Sequence, residues 1–281
     1  MAILWRFDAV VLALILVAGI VAGVVGHRPT LTRSLTLLVI LLGLSLALWT
    51  RPGGILVLSA LLALGGLREV GKAWGVPGLW VALAGGAGLA LAAWQPSAQV
   101  AWPFIAIVAV SWFLSRRWVV TPAFAIVLAL IVGVGLGFFA RLSVAGVLTL
   151  VLLLQMNDAF AYFGGHLVGR HHIVFAISPG KTLEGYLAGV LGVGAGVVLG
   201  FWPLGLFTGM AFAPIALLGV YLVLAGDLGD LFFSLLKRHR GIKDFSSLLP
   251  GHGGILDRFD NVIVAAPGFY LLWHLVAMGG H

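Results

Sequence analysis

Long apolar runs broken by short basic punctuation set the pattern of this chain. In order they cover roughly residues 10–25, 34–50, 54–67, 76–94, 101–115, 119–138, 142–163, 183–202, 208–226 and 261–278. A bilayer crossing needs about 20 mostly apolar residues. The pattern therefore predicts an all-α, polytopic integral membrane protein with about nine or ten transmembrane helices. The 54–67 run is short enough to be re-entrant or interfacial. The first run has the length of a signal peptide, but further apolar runs follow it directly, so it reads as a retained span.

Composition sharpens this picture. The chain is 62% hydrophobic and 9% charged, against about 25% charged residues in a soluble domain, so a water-soluble core is excluded. Its 40 glycines are scattered among Leu, Val and Ala, as suits packed membrane helices. Cysteine is absent, which excludes disulfides and thiolate metal sites. The net charge of +7 fits cytoplasmic loops and anionic lipid or phosphate contacts, with no nucleic acid among the expected partners. The richest basic segments, 237–258 and 164–182, are expected on the cytoplasmic face. Tryptophans near the span ends suit an interfacial aromatic belt. Before Gln155 the acids are Asp8 and Glu69 alone. Glu69, between Arg68 and Lys72, reads as an interfacial ion pair on a loop.

Charge gathers in one place. Five of the nine acidic residues (Asp227, Asp230, Asp244, Asp257, Asp260) fall within the 34 positions from Asp227 to Asp260. Basic residues and a Pro-Gly-His-Gly-Gly turn at 250–254 are interleaved with them. If 208–238 is one helix, Asp227, Asp230, Ser234 and Lys237 share a face. Asp257 and Asp260 share another at the start of the last helix, where carboxylates are electrostatically favoured. Glycines at 251, 253 and 254 allow positive φ or a close backbone approach. Two acidic clusters joined by a basic loop suit Mg²⁺ carrying a polyphosphate, because Mg²⁺ takes one or two carboxylates and fills its shell with water and phosphate oxygens. Lys237, Arg238, Lys243 and Arg258 would meet the remaining phosphate charge. A merely solvated loop would explain the bases but not the acids among them.

A second polar island covers residues 157–189. Asp158 interrupts an apolar run, and an ionisable group at membrane depth marks a functional site by default; the alternative is a packing ion pair with Arg170 or Lys181. The Gly-Lys-Thr at 180–182 lacks the earlier glycine of a nucleotide-binding P-loop, Phe175 standing there. A milder anion site remains: Ser178-Pro179 would begin a helix whose first amides, with Lys181 and Thr182, hold a phosphate. His166, His171 and His172 read as interfacial residues rather than metal ligands.

The run from Ser234 through Lys237-Arg238, Lys243-Asp244 and Pro250-Gly-His252-Gly253-Gly254 to Asp257-Arg258-Phe-Asp260 resembles the signature of the phosphatidate cytidylyltransferase (CDP-diacylglycerol synthase) family at all 27 positions. Asp158 with Ala161-Tyr162, Gly169-Arg170, Ser178-Pro179, Lys181-Thr182 and Glu184-Gly185 is similar to the family's upstream island. The chain departs from the family at Phe233, where a Glu is usual, at Gly180, where a Lys is usual, and at Ala159, where Thr or Ser is common.

The resemblance implies transfer of a cytidylyl group from CTP to phosphatidic acid with Mg²⁺ and room for a second cation. It implies a multi-spanning region over 1–155 and a catalytic membrane region over 156–281. Asp230, Asp257, Lys243, Asp244 and Arg258 are its expected catalytic residues. Asp230 and Asp257 are the principal metal ligands, with Asp260, Asp227 and Asp158 as further candidates. Ser178, Lys181, Thr182, Ser234, Lys237, Arg238, His252, Gly253 and Gly254 are expected at the substrates. The implied setting is a bacterial-type inner membrane with the site facing the cytoplasm, membrane lipids as neighbours and a homodimer allowed. A transporter or a catalytically retired scaffold stays open. A CDP-alcohol phosphotransferase fits less well, its Asp-Gly…Ala-Arg pattern being absent.

Overall fold

A computed structural model describes residues 3–9, 12, 28–50, 53–114, 116–173, 177–178, 180–202, 204–207, 209–251 and 253–278. Among them the regular elements are helices, with two isolated β-bridges, His172 to Thr182 and Leu249 to Gly253. The order is α1 (residues 3–9), α2 (Arg28–Trp49), α3 (Gly53–Trp74), α4 (Gly78–Trp94), α5 (Ala98–Phe113), α6 (Arg116–Val119), α7 (Pro122–Ala140), α8 (Val144–Val168), α9 (Leu183–Phe201), α10 (Phe212–Arg240) and α11 (Leu256–Met278). Six of the described helices, α3 and α7 to α11, are long and apolar enough to cross a membrane. Leu38–Trp49, α4 and α5 are apolar but shorter. The first apolar run, 10–25, lies almost wholly outside the described residues.

Local sequence accounts for the boundaries. Thr121 and Ser143 cap α7 and α8 by accepting from the Phe124 and Gly146 amides. The expected single helix through the signature aspartates is present as α10, 29 residues long. It ends at Gly241 in the left-handed conformation (φ 72°), with Ile242 N–H returning to the Lys237 carbonyl at 3.0 Å.

Two expectations fail. The short 54–67 run is part of a 22-residue helix that carries through Arg68, Glu69 and Lys72 to Trp74. Its charged end is helical, and the Glu69 carboxylate is satisfied inside the protein rather than on a loop. Nor does Ser178-Pro179 start a helix. Extended pairing, with Ile173 N–H to the Lys181 carbonyl and Leu183 N–H to the His171 carbonyl, carries the chain to Thr182. Thr182 caps α9 by accepting from Gly185 N at 3.1 Å. The first amides of α9 are thus largely taken by protein, and Pro179 is outside the described residues.

Small residues let the helices approach. Lipid tails are as apolar as Leu, so membrane helices associate through close packing. On α4 and α7, a Cβ at Gly88, Gly133 or Gly137 would strike the facing backbone. On α9, Gly189, Gly192 and Gly196 lie against Asn157, Met156 and Leu153 of α8. α7 is buried along most of its length and packs on α3, α4 and α11. Leucines such as Leu61, Leu64, Leu83 and Leu91 point outward, where the bilayer is the solvent. Trp94 and Trp202 are exposed at helix ends, as an aromatic belt requires. Trp74 and Trp273 are instead buried, donating to the Val119 carbonyl at 2.6 Å and to Ser143 Oγ at 3.2 Å.

Candidate active site

The close approach of α10 and α11 builds the site. Gly229 has no room for a Cβ, which would lie 3.0 Å from Asn261 Cα and 3.1 Å from the Asp260 carbonyl. That contact sets Asp230, the next residue on α10, beside Asp260 on α11. α8 adds Asn157 and Asp158. The Asn157 amide donates to Asp227 Oδ1 at 3.2 Å, and the Asn261 amide donates to Asp158 Oδ2 at 2.9 Å. Asp158 and Asp230 stand where they can be reached, whereas Asp260, Asn157 and Asn261 are buried. Asp158 is within electrostatic reach of Asp230, Lys181, Asp227 and Arg258.

Lys181 joins the island to this cluster. Its Nζ lies 2.6 Å from Asp230 Oδ2. Burial works against the Lys181 ammonium, but the charge and hydrogen bond of Asp230 outweigh it and hold its pKa above the ordinary lysine value. The alternative of a packing ion pair of Asp158 with Arg170 or Lys181 is not the arrangement found, Lys181 pairing with Asp230.

Asp257 has a different environment. Its Oδ1 accepts from Lys237 Nζ at 2.7 Å, and its Oδ2 from the Phe245 and Gly254 amides at 2.8 and 2.9 Å. It thereby ties the 241–254 loop to the start of α11. Gly253 supports the turn with φ 79°. Phe245 is buried against Trp74 and edge-on to Phe233 at 6.1 Å, with Lys237 over its ring. Phe233, the departure from the family pattern, is fully buried in this aromatic layer.

The remaining expected residues spread around this frame. Lys243, Asp244, Arg238 and Arg258 are exposed, and Arg238 Nε donates to the Ile177 carbonyl at 3.2 Å. Ser178 and Ser234 are half-buried, Thr182 is buried in its capping role, and His252 lies outside the described residues. His171 bonds Glu184 at 2.6 Å and His166 stacks on Tyr162. Sequence reading passed over Asn157 and Asn261, although each is an amide beside an aspartate in an apolar run. It also misplaced Glu69. That carboxylate is buried and accepts from Ser246 Oγ and from the Ile255 and Leu256 amides.

Oxygen donors of this kind fit a hard cation such as Mg²⁺. Among the described residues, no three carboxylate or imidazole groups form a ready cation cage. Asp230 and Asp257 are each neutralised by a lysine instead. A cation would have to displace those ammonium groups, and one that arrives with phosphates needs only one or two protein carboxylates.

The chain is 41% identical over 125 residues to the uncharacterized protein YnbB of Escherichia coli (strain K12), covering 44% of this chain and 41% of that one. It is 38% identical over 152 residues to a phosphatidate cytidylyltransferase of Staphylococcus aureus (strain COL), covering 52% of this chain and 56% of that one. With a phosphatidate cytidylyltransferase of Staphylococcus epidermidis (strain ATCC 35984) it is 35% identical over 253 residues, covering 84% and 95%. Against the first two relatives, then, the chain spans about half of their length. The sequence profile of the cytidylyltransferase family matches residues 31–276. By that match the chain belongs to the cytidylyltransferase family.

Proposed function

We propose that this protein transfers a cytidylyl group from CTP to phosphatidic acid, giving CDP-diacylglycerol and pyrophosphate in phospholipid biosynthesis. The observation that carries the reading is the 2.6 Å pair between Lys181 and Asp230. It joins two distant polar stretches into one charged site among apolar helices. The relatives that are phosphatidate cytidylyltransferases supply the substrate class.

In this reading a phosphate oxygen of the lipid attacks the α-phosphorus of CTP. A new P–O bond forms, the bond to the bridging oxygen of the β-phosphate breaks, and pyrophosphate leaves. The lipid phosphate is already an adequate nucleophile at neutral pH, so no covalent enzyme intermediate is needed. Positioning and charge neutralisation provide most of the rate. Mg²⁺ would supply neutralisation of the triphosphate, and a second cation belongs to the same proposal. Asp230 and Asp257 are the principal candidates to hold it, with Asp260, Asp227 and Asp158 nearby. Lys181 and Lys237, released from those carboxylates, would then hold phosphate oxygens. Arg238, Lys243 and Arg258 would neutralise further phosphate charge, with Asp244 beside Lys243. Ser178, Thr182, Ser234, His252, Gly253 and Gly254 would line the substrates.

The wider proposal has nine or ten crossings in a bacterial-type inner membrane, the shorter apolar helices and the first run included. The site faces the cytoplasm, where CTP is found, and the catalytic region covers 156–281. A homodimer is compatible with it. Purified protein given CTP and phosphatidate with Mg²⁺ should form CDP-diacylglycerol, and should not after chelation. No CDP-lipid under any divalent cation would leave the transporter or scaffold reading.

A further inference from the structure

Glu69 is the one acid of α3, 177 residues before Ser246 and 187 before Leu256. A buried carboxylate is costly unless hydrogen-bonded, and this one is bonded at both oxygens. Oε1 accepts from Ser246 Oγ at 2.6 Å and from Ile255 N at 2.9 Å, and Oε2 accepts from Leu256 N at 2.9 Å. The Ile255 and Leu256 amides belong to the start of α11, where backbone donors lack intrahelical partners. Glu69 therefore caps α11 from a distant helix, and its charge suits the positive end of the helix.

The surroundings are shaped for this contact. A Cβ at Gly254 would run into the Glu69 carboxylate. One turn earlier on α3, the absence of side chains at Gly65 and Gly66 admits Ile255 and Leu256. From the other side, Asp257 takes the Phe245 and Gly254 amides. Two carboxylates thus clamp the turn that leads into Asp257, Arg258 and Asp260.

We propose that Glu69 is a positioning residue for cytidylyl transfer, fixing the height and pitch at which α11 presents its aspartates. This rests on the function proposed above. A displacement of about 1 Å at reacting groups costs on the order of a hundredfold in rate. Glu69→Ala should accordingly lower kcat by roughly ten- to a hundredfold per folded molecule, with KM for CTP little changed. Glu69→Gln keeps one acceptor for Ser246 and Ile255 but turns its amide N–H against the Leu256 N–H, so it should recover only part of the loss. Ser246→Ala should give a smaller loss in the same direction.

The test is steady-state kinetics on these variants in detergent, with hydrogen exchange followed over residues 245–256. Faster exchange there with α7 protection kept, together with the kcat loss, is the expected result. Wild-type kcat in Glu69→Ala, or a loss matched by the unfolded fraction and not relieved by Gln, would overturn the role. If wild-type protein makes no CDP-lipid, the proposed function fails instead, and unchanged exchange in the variants would dispose of the clamp separately.

Discussion

Lys181 Nζ stands 2.6 Å from Asp230 Oδ2, although the whole of the membrane-length helix α9 separates the two residues in sequence. The contact neutralises an aspartate of α10 with a lysine that precedes α9.

Lys181→Ala should reduce activity far more than Arg141→Ala, an exposed cation at the end of α7. Loss of one preorganised charge at a reacting phosphate typically costs on the order of a hundred- to a thousandfold. Kinetics normalised to folded protein decide the matter. Unchanged constants for CTP and phosphatidate would remove Lys181 from the site.

The Lys181 pKa is raised by Asp230 over the opposing effect of burial. Lys181 therefore keeps its charge below the ordinary lysine value and loses it as pH rises through the higher, folded-state value. No activity limb between about pH 6 and 9 should come from this group. A limb in that range that disappears in Lys181→Arg would contradict the pairing.

Asp230→Asn and Asp257→Asn should each abolish turnover while the protein stays folded, since charge is removed at nearly constant shape. Asp227→Asn should hurt less. Retention of more than about a tenth of wild-type activity in the first two, under about 1.4 kcal/mol of barrier, would refute their assignment as cation ligands. Asp257→Asn also weakens the hold on Lys237, so a lowered melting temperature should accompany it.

Phe233→Ala should destabilise by about 3–5 kcal/mol, because the ring is fully buried and supports Phe245 beneath the loop. Thermal unfolding in detergent measures this. A change under about 1 kcal/mol would mean that the layer repacks.

Ser247 is exposed on the 241–254 loop, and the chain has no cysteine. Ser247→Cys in intact cells should resist an impermeant thiol reagent and react after lysis. Ready labelling from outside would reverse the proposed topology.

The sequence by itself determined the class of protein and where its chemistry concentrates. Apolar runs of bilayer length leave helices as the economical way to satisfy backbone groups in lipid, and five acids in one short window cannot be explained by burial. Helical periodicity was enough to put Asp227 and Asp230 on one long helix, because that relation is local. Tertiary structure decided the rest. Whether a carboxylate stands in an open cluster or holds a loop depends on what faces it, and those partners come from other helices. Asp158 meets Asn261, Asp230 meets Lys181, and Asp257 meets Lys237 and two amides. Glu69 illustrates the limit most clearly. Its neighbours Arg68 and Lys72 suggested an interfacial ion pair on a loop, yet the close packing of α3 on the start of α11 turned it inward as a cap for that helix.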